Sequence, residues 1–189
     1  MSPCLFSVEC DMMESIIGEQ KDAVIHLDMN YEIVLAKESD RSEILALYRA
    51  QLGREYCPWN EHYPSDETID FDLSRDALFV LKVDGTIKAA ISLEEDESTD
   101  QLTCWDENLK PQGELARLAV LPEEQNQGFG RVMMRFGMEE LKRRGFRGIY
   151  ILVNRHNAKA ISCYEVFGFH VAGECHLYEQ DFLCYEREL

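Results

Sequence analysis

The stretch that most constrains the fold runs from Glu114 to Gly145: "ELARLAVL", a proline at 122, the turn "EEQNQGFG", and an amphipathic run closed by glycine. Its first part reads as a strand, and Pro122 ends it. Gly128 and Gly130 then head a helix predicted over 129–144, with Phe129, Val132, Met133, Phe136 and Leu141 as its apolar stripe. Gly145 suits the left-handed position after a helix, and Arg143 and Arg144 complement the negative end of the dipole. A glycine turn of this kind offers unpaired backbone N–H groups and a positive helix end to an anion. Two familiar anion turns do not fit. A P-loop needs Gly-Lys-Ser/Thr where this chain has Gly128-Phe129-Gly130-Arg131, and a dinucleotide fingerprint needs a third glycine where Met133 stands.

Elements follow on both sides. "FRGIYILV" (146–153) is a nearly continuous apolar strand, as a central position requires. A helix is predicted from Asn157 to Phe167, closed by Gly168, and two strands near 169–176 and 181–188 complete the chain. Upstream, "YEIVLA" (31–36) reads as a strand. Asp40 reads as the cap of a helix through Leu52, with Glu43 completing a capping box. Residues 53–74 read as a loop with a short helix after Ser65. Strands at 77–83 and 86–94 form a hairpin about Asp84-Gly85. Residues 1–30 have weak periodicity and form an N-terminal extension of unknown role, leaving 31–189 as the domain.

The order strand, Pro122, Gln-x-x-Gly-x-Gly, helix, strand, Asn157, helix, Tyr164, Gly168-Phe169 resembles the GNAT superfamily of acetyl-CoA-dependent N-acetyltransferases. Gln125-Asn126-Gln127-Gly128-Phe129-Gly130 matches that family's glycine turn, and "NAKAISCYEVFGF" (157–169) its second block. The resemblance implies an α/β (α+β) fold: a mixed, mostly antiparallel twisted sheet of about seven strands, flanked by helices, with a splayed parallel pair at the cofactor site. It also implies acetyl-CoA as cofactor. The amides from Gln127 to Arg131 would close on its pyrophosphate, which glycines at 128 and 130 leave room for. Leu118, Ala119 and Val120 would pair their backbone with the pantetheine arm like an added strand, with Asn157 bonding to it. Lys159 and Arg155 either reach phosphates or are solvated surface charges.

The same resemblance implies direct transfer to a primary amine in a ternary complex, with no metal. An amine of pKa ~10 must lose a proton to attack, and a departing thiolate of pKa ~8.5 gains from receiving one. Tyr164 stands where the family places the general acid, although Ile161, Tyr164 and Phe167 also share one helical face as a packing stripe would. Glu114, at the start of the strand, is either the base or a carboxylate paired with Arg117. The oxyanion would meet a backbone N–H of 118–120, Val120 foremost. A covalent route through Cys163 is disfavoured: it projects at a different helical angle from Tyr164, and no histidine lies nearby in sequence. Tyr56, Trp59 and Tyr63, interspersed with acids, together with Trp105 beside Asp106, suit a small cationic amine as acceptor. A protein N-terminus or lysine, or a non-catalytic acyl-CoA-sensing role, are the alternatives.

Charge and cysteines narrow the setting. The net charge is −17, which argues against binding nucleic acid or an anionic membrane. Against that background, residues 117–159 hold nine Lys/Arg and four Asp/Glu, a basic island containing the glycine turn. Seven cysteines are scattered with no C-x-x-C, as expected of reduced thiols in the cytoplasm. No apolar run approaches the ~20 residues of a membrane span, and acids occupy the N-terminus where a signal peptide would carry basic residues. Chains of this family are often dimers, so the resemblance admits a homodimer.

Overall fold

A computed structural model describes residues 30–55, 57–94, 99, 101–177 and 179–189. The expected N-terminal extension lies, but for Asn30, outside the described residues. Strand β1 (Tyr31–Leu35) precedes helices α1 (Arg41–Arg49) and α2 (Asp66–Ser74). Hairpin strands β2 (Leu78–Val83) and β3 (Thr86–Glu94) follow, then β4 (Gln112–Val120) and α3 (Phe129–Arg143). The chain continues with β5 (Gly148–Asn154), α4 (Ala158–Val166), β6 (His170–Leu177) and β7 (Gln180–Glu188). The sheet order is β1-β2-β3-β4-β5-β7-β6, with β4 and β5 parallel and the other neighbours antiparallel.

Period-two alternation distributes the side chains between two faces. Phe79, Leu81, Ile91, Leu93 and Leu115 meet Phe129, Met133, Met134 and Leu141 of α3. Leu78, Val80, Ile87, Ala90 and Ala119 meet Ile44, Leu47 and Tyr48 of α1 and Ile69 of α2. Helix α3 seats closely because residue 137 is glycine: a Cβ there would stand 2.6 Å from a methyl of Leu115. The hairpin turn is as expected, with Asp84 and Gly85 both at positive φ, 49° and 77°. Ser65 caps α2, accepting from the Thr68 N–H at 3.4 Å.

The start of α1 differs from the capping-box expectation. Glu38–Asp40 form a 3-10 turn, and the Asp40 carboxylate reaches back to the Lys37 N–H at 3.0 Å and across to Lys82 Nζ at 2.8 Å. Glu43 accepts from the Ile87 N–H at 3.1 Å, joining α1 to the hairpin instead of closing its own helix end. Tertiary partners have outbid local ones.

The feature that makes the site is a fork. Strands β4 and β5 pair only at Gln112↔Gly148, Gly113↔Ile149 and Glu114↔Tyr150. Beyond that rung β4 stays with β3 up to Val120, while β5 stays with β7 up to Asn154. A bulge accompanies the parting: Arg117 sits at φ 50°, and the β3–β4 register shifts between Ala90 and Ser92. Its buried guanidinium turns to Asp72 of α2, Nη2 to Oδ1 at 2.7 Å and Nε to Oδ2 at 3.2 Å, with Ser92 Oγ at 3.3 Å from Nε. Both side chains are nearly inaccessible, 5% and 0% exposed. Removing one partner of such a pair strands the other charge in the core. Asp72→Ala is therefore expected to cost about 3–5 kcal/mol, read as a lowered urea midpoint at unchanged slope. A loss comparable to that of an exposed pair, below ~1 kcal/mol, would show that the pair does not hold the bulge.

Candidate active site

The fork opens into a groove of about 1990 Å³. One wall is β4 from Glu114 onward, and another is the head of α3 with Asn157, Lys159 and the Cys163–Tyr164 face of α4. The opposite end is bounded by Trp59, Tyr63, Glu55 and Glu67. Residues far apart in sequence, expected separately to hold a cofactor and an acceptor, thus border one continuous space.

The turn at the head of α3 has the geometry of an anion cradle. Asn126 and Gly128 adopt positive φ, 66° and 95°, curling the backbone before the helix begins. The first helical bond at this end runs from the Val132 N–H to the Gly128 carbonyl, 3.1 Å. The N–H groups of Phe129, Gly130 and Arg131 therefore precede the helical ladder. A side chain at position 128 would be strained at that φ, so glycine is required there. Phe129 anchors the turn, 1% exposed in the α3 core cluster. Arg131 is exposed on the groove wall. Lys159 Nζ donates to Asn126 Oδ1 at 2.8 Å, which brings an ammonium to the cradle from α4.

Several expected ligands also make hydrogen bonds within the protein. Gln125 Nε2 donates to the Val120 carbonyl at 3.2 Å, as does Gln51 Nε2 at 3.1 Å. The turn is thereby tied to the end of β4, and that carbonyl is already engaged. Gln127 donates to Glu124 Oε2 at 2.9 Å, and Glu124 accepts from Lys88 Nζ at 2.7 Å. Asn157 caps α4, its Oδ1 accepting from the Ala160 N–H at 3.1 Å. Leu118 lines the groove, whereas Ala119 puts its side chain into the α1 cluster and offers the groove backbone only. Arg155 pairs with Glu174 at the surface.

At the fork itself stand Glu114 and Tyr164. Glu114 is 8% exposed, and its Oε2 accepts from Thr99 Oγ1 at 3.4 Å. The Arg117 pairing expected as the alternative gives way to the Asp72 pairing, because the bulge turns Arg117 to the α2 side. Tyr164 lies among Phe169 and Tyr185, ring centroids 6.0 and 6.2 Å away. Among the described residues its hydroxyl has no hydrogen bond within the protein. Partial burial among them pushes its phenol above the usual tyrosine range, so it keeps its proton to higher pH than an exposed tyrosine does. Cys163 also lines the groove. Burial raises its pKa, with Arg131 opposing, so the thiol form prevails.

The acceptor end is mixed. Trp59 packs edge-on against Tyr48, centroids 5.3 Å apart. The Tyr63 hydroxyl accepts from Arg117 Nη1 at 2.9 Å, while its residue stays 41% exposed. A hydrogen bond from the Ser65 hydroxyl holds the Glu67 carboxyl below the usual range. Tyr56 lies outside the described residues. Trp105 is a correction: 4% exposed, it stacks on Tyr150 at 4.7 Å and donates from Nε1 to the Thr99 carbonyl at 2.8 Å. It is absent from the groove lining because the sheet has absorbed its ring. Sequence reasoning missed Gln51, Thr99 and Tyr150. No local pattern marks them, since each acts across the fold.

Known proteins give this arrangement its place. The family model described as Acetyltransferase (GNAT) family matches residues 43–169. The ribosomal protein bS18-alanine N-acetyltransferase of Escherichia coli (strain K12) is 40% identical over 58 residues, 31% of this chain and 39% of that protein. The chain thus spans well under half the length of the curated relatives it matches. Among solved structures, a PaiA N-acetyltransferase from Thermoplasma acidophilum in complex with coenzyme A superimposes with TM-score 0.66 at 20% identity, covering 85% of this chain and all of that one, 100%. A ribosomal-protein-alanine N-acetyltransferase from Brucella melitensis gives TM-score 0.67 at 22% identity, covering 84% and 99%. At those identities the likeness is one of fold, whereas the family model covers more than half of the chain. The chain belongs to the GNAT acetyltransferase family.

Proposed function

We propose that this chain is an N-acetyltransferase that moves the acetyl group of acetyl-CoA to a small cationic primary amine by direct attack in a ternary complex. One observation carries the reading: a single groove joins the anion cradle of α3 to Glu114 and Tyr164 at the fork and then to an aromatic, acidic end. Acetyl-CoA would supply an activated acyl group on a thiol leaving group. The named relatives are N-acetyltransferases, and the Thermoplasma acidophilum protein is described in complex with coenzyme A.

In this reading the amides at 129–131 hold the diphosphate, with Lys159 adding positive charge. Beyond Glu114 the edge of β4 has no β5 partner, which leaves backbone for an extended arm. Asn157 has spent its carbonyl oxygen on capping α4, so its amide N–H₂ is the group that serves the arm. Glu114 takes the proton of the attacking amine, and Tyr164 gives its own to the departing sulfur. A covalent route through Cys163 is disfavoured by the prevailing thiol form and by the lack of histidine among the described lining residues. Trp59, Tyr63 and the carboxylates Glu55 and Glu67 suit an ammonium-bearing acceptor.

A second acceptor has its own support. The relatives from Escherichia coli and Brucella melitensis are named for a ribosomal-protein alanine, so a protein α-amine is the competing substrate class. A panel of polyamines, amino acids, aminoglycosides and N-terminal peptides, with free CoA as readout, decides between them. A non-catalytic sensor would bind acetyl-CoA and release no thiol with any of these.

Gly128→Val is expected to weaken acetyl-CoA binding at least tenfold by calorimetry, since the left-handed turn that aims the amides is lost. Unchanged affinity in that variant, or no binding by the parent protein, would remove the cradle from the reading. Tyr164→Phe is expected to lower kcat by ~10²-fold or more with KM for acetyl-CoA nearly constant. Because burial raises the phenol pKa, kcat should hold its plateau through pH ~9–10, where an exposed tyrosine begins to ionise. A fall across that window that vanishes in Tyr164→Phe would contradict the buried, protonated acid.

A further inference from the structure

Helix α2 turns one large apolar residue toward water. Its exposed positions are Asp66, Glu67, Asp70, Phe71 and Ser74, so a phenylalanine stands on a face that is otherwise acidic or hydroxylic. Phe71 is 52% exposed. The packing of α2 does not need it there, because Ile69 and Leu73 supply the contacts to the α1 cluster. The ring is nonetheless held. The Arg75 guanidinium packs over it, 3.9 Å from the centroid, and approaches Asp72 Oδ1 at 3.5 Å. Phe71 lines the groove and Arg75 does not, so the ring stands on the groove side of that cation.

Two observations place Phe71 along the groove. Glu67, one helical turn earlier, belongs to the acidic acceptor end. Asp72, the next residue, holds Arg117, which follows Glu114 on β4. Phe71 thus lies between the acceptor end and the fork. Helix α2 also packs on the sheet face that carries α1, whereas α3, which heads the anion cradle, packs on the other. A group resting on Phe71 therefore comes from the side opposite the cradle, as part of the acceptor and not of acetyl-CoA.

We infer that Phe71 is a specificity-determining residue: the preferred acceptor carries an apolar group beside its primary amine, and that group covers the Phe71 ring while the nitrogen reaches the fork. The inference rests on the proposed acetyl transfer to a small amine and adds the second feature by which that amine is recognised. Phe71 and Tyr63, 52% and 41% exposed, offer apolar surface to the groove beside the Glu67 carboxylate. Apolar surface bordered by acids matches an amphiphilic cation, which removes the rings from water and keeps its ammonium near carboxylates. A polyamine or another wholly hydrophilic amine gains nothing from such a ring.

The test compares 2-phenylethylamine with ethylamine, which share the ammonium and differ in the apolar group, using full-length protein and free CoA as readout. The parent is expected to favour 2-phenylethylamine in kcat/KM by about tenfold or more. Phe71→Ala should abolish most of that preference, Phe71→Leu should keep much of it, and KM for acetyl-CoA should stay constant in both. The residue is exposed, so both variants are expected to fold with the parent's urea midpoint. A parent that does not discriminate between the two amines, or a Phe71→Ala variant with the parent's preference, overturns the inference. If acetyl-CoA binds but neither amine releases thiol, acetyl transfer to small amines is what fails. Calorimetry of the same two amines on the CoA-saturated protein then decides the role of Phe71. Tighter binding of 2-phenylethylamine that is lost in Phe71→Ala upholds it, and equal or absent binding overturns it.

Discussion

The site exists because two parallel strands stop pairing. After Glu114 and Tyr150, β4 and β5 each keep their outer neighbour and lose each other, which leaves backbone hydrogen-bonding groups facing a gap inside a sheet. Unpaired backbone in a core is costly, so such a gap persists only where something satisfies it. The bulge at Arg117 helps to set this geometry: it turns a guanidinium toward the α2 side of the groove, where Asp72 and Ser92 hold it. The ion pair is thus a structural device whose effect is felt in the groove.

Around the gap, the polar groups divide into two kinds. Some are committed to the protein: Gln51 and Gln125 hold the Val120 carbonyl, Lys88 and Gln127 hold Glu124, and the Asn157 oxygen caps α4. Others belong to residues that line the groove, namely the leading amides of α3 and the Tyr164 hydroxyl. The first set makes the second rigid. Rigid donors aimed at a site need no reorganisation when an anion or a developing charge arrives, and that is the physical basis for reading this groove as catalytic.

The chemistry proposed for the fork needs two groups of opposite proton habit. Tyr164 is kept protonated by burial against aromatic neighbours. Glu114, on β4, accepts from the Thr99 hydroxyl, which in turn bonds the Tyr150 hydroxyl. Apolar surroundings extend the pH range over which the acid keeps its proton.

Much of this was legible in the chain as written. The Asp84-Gly85 hairpin, the strand–proline–glycine turn–helix unit and the Gly145 and Gly168 helix ends depend on local backbone preference, which sequence carries directly. What sequence determined less well were the partners of side chains with several options. Asp40 and Glu43 form a good local capping pattern, yet both are taken by the hairpin. Trp105 looks like an acceptor wall beside an acid, yet a flat aromatic gains more by stacking on Tyr150. Gln125 matches a ligand motif, yet it braces a strand. Sequence alone determined most of the elements and the glycine turn at the head of α3, because those follow from backbone conformation within a few residues. Only the tertiary structure decided that β4 and β5 part at Glu114 and that Thr99 and Tyr150 stand behind it, because those contacts join residues 15 to 51 positions apart.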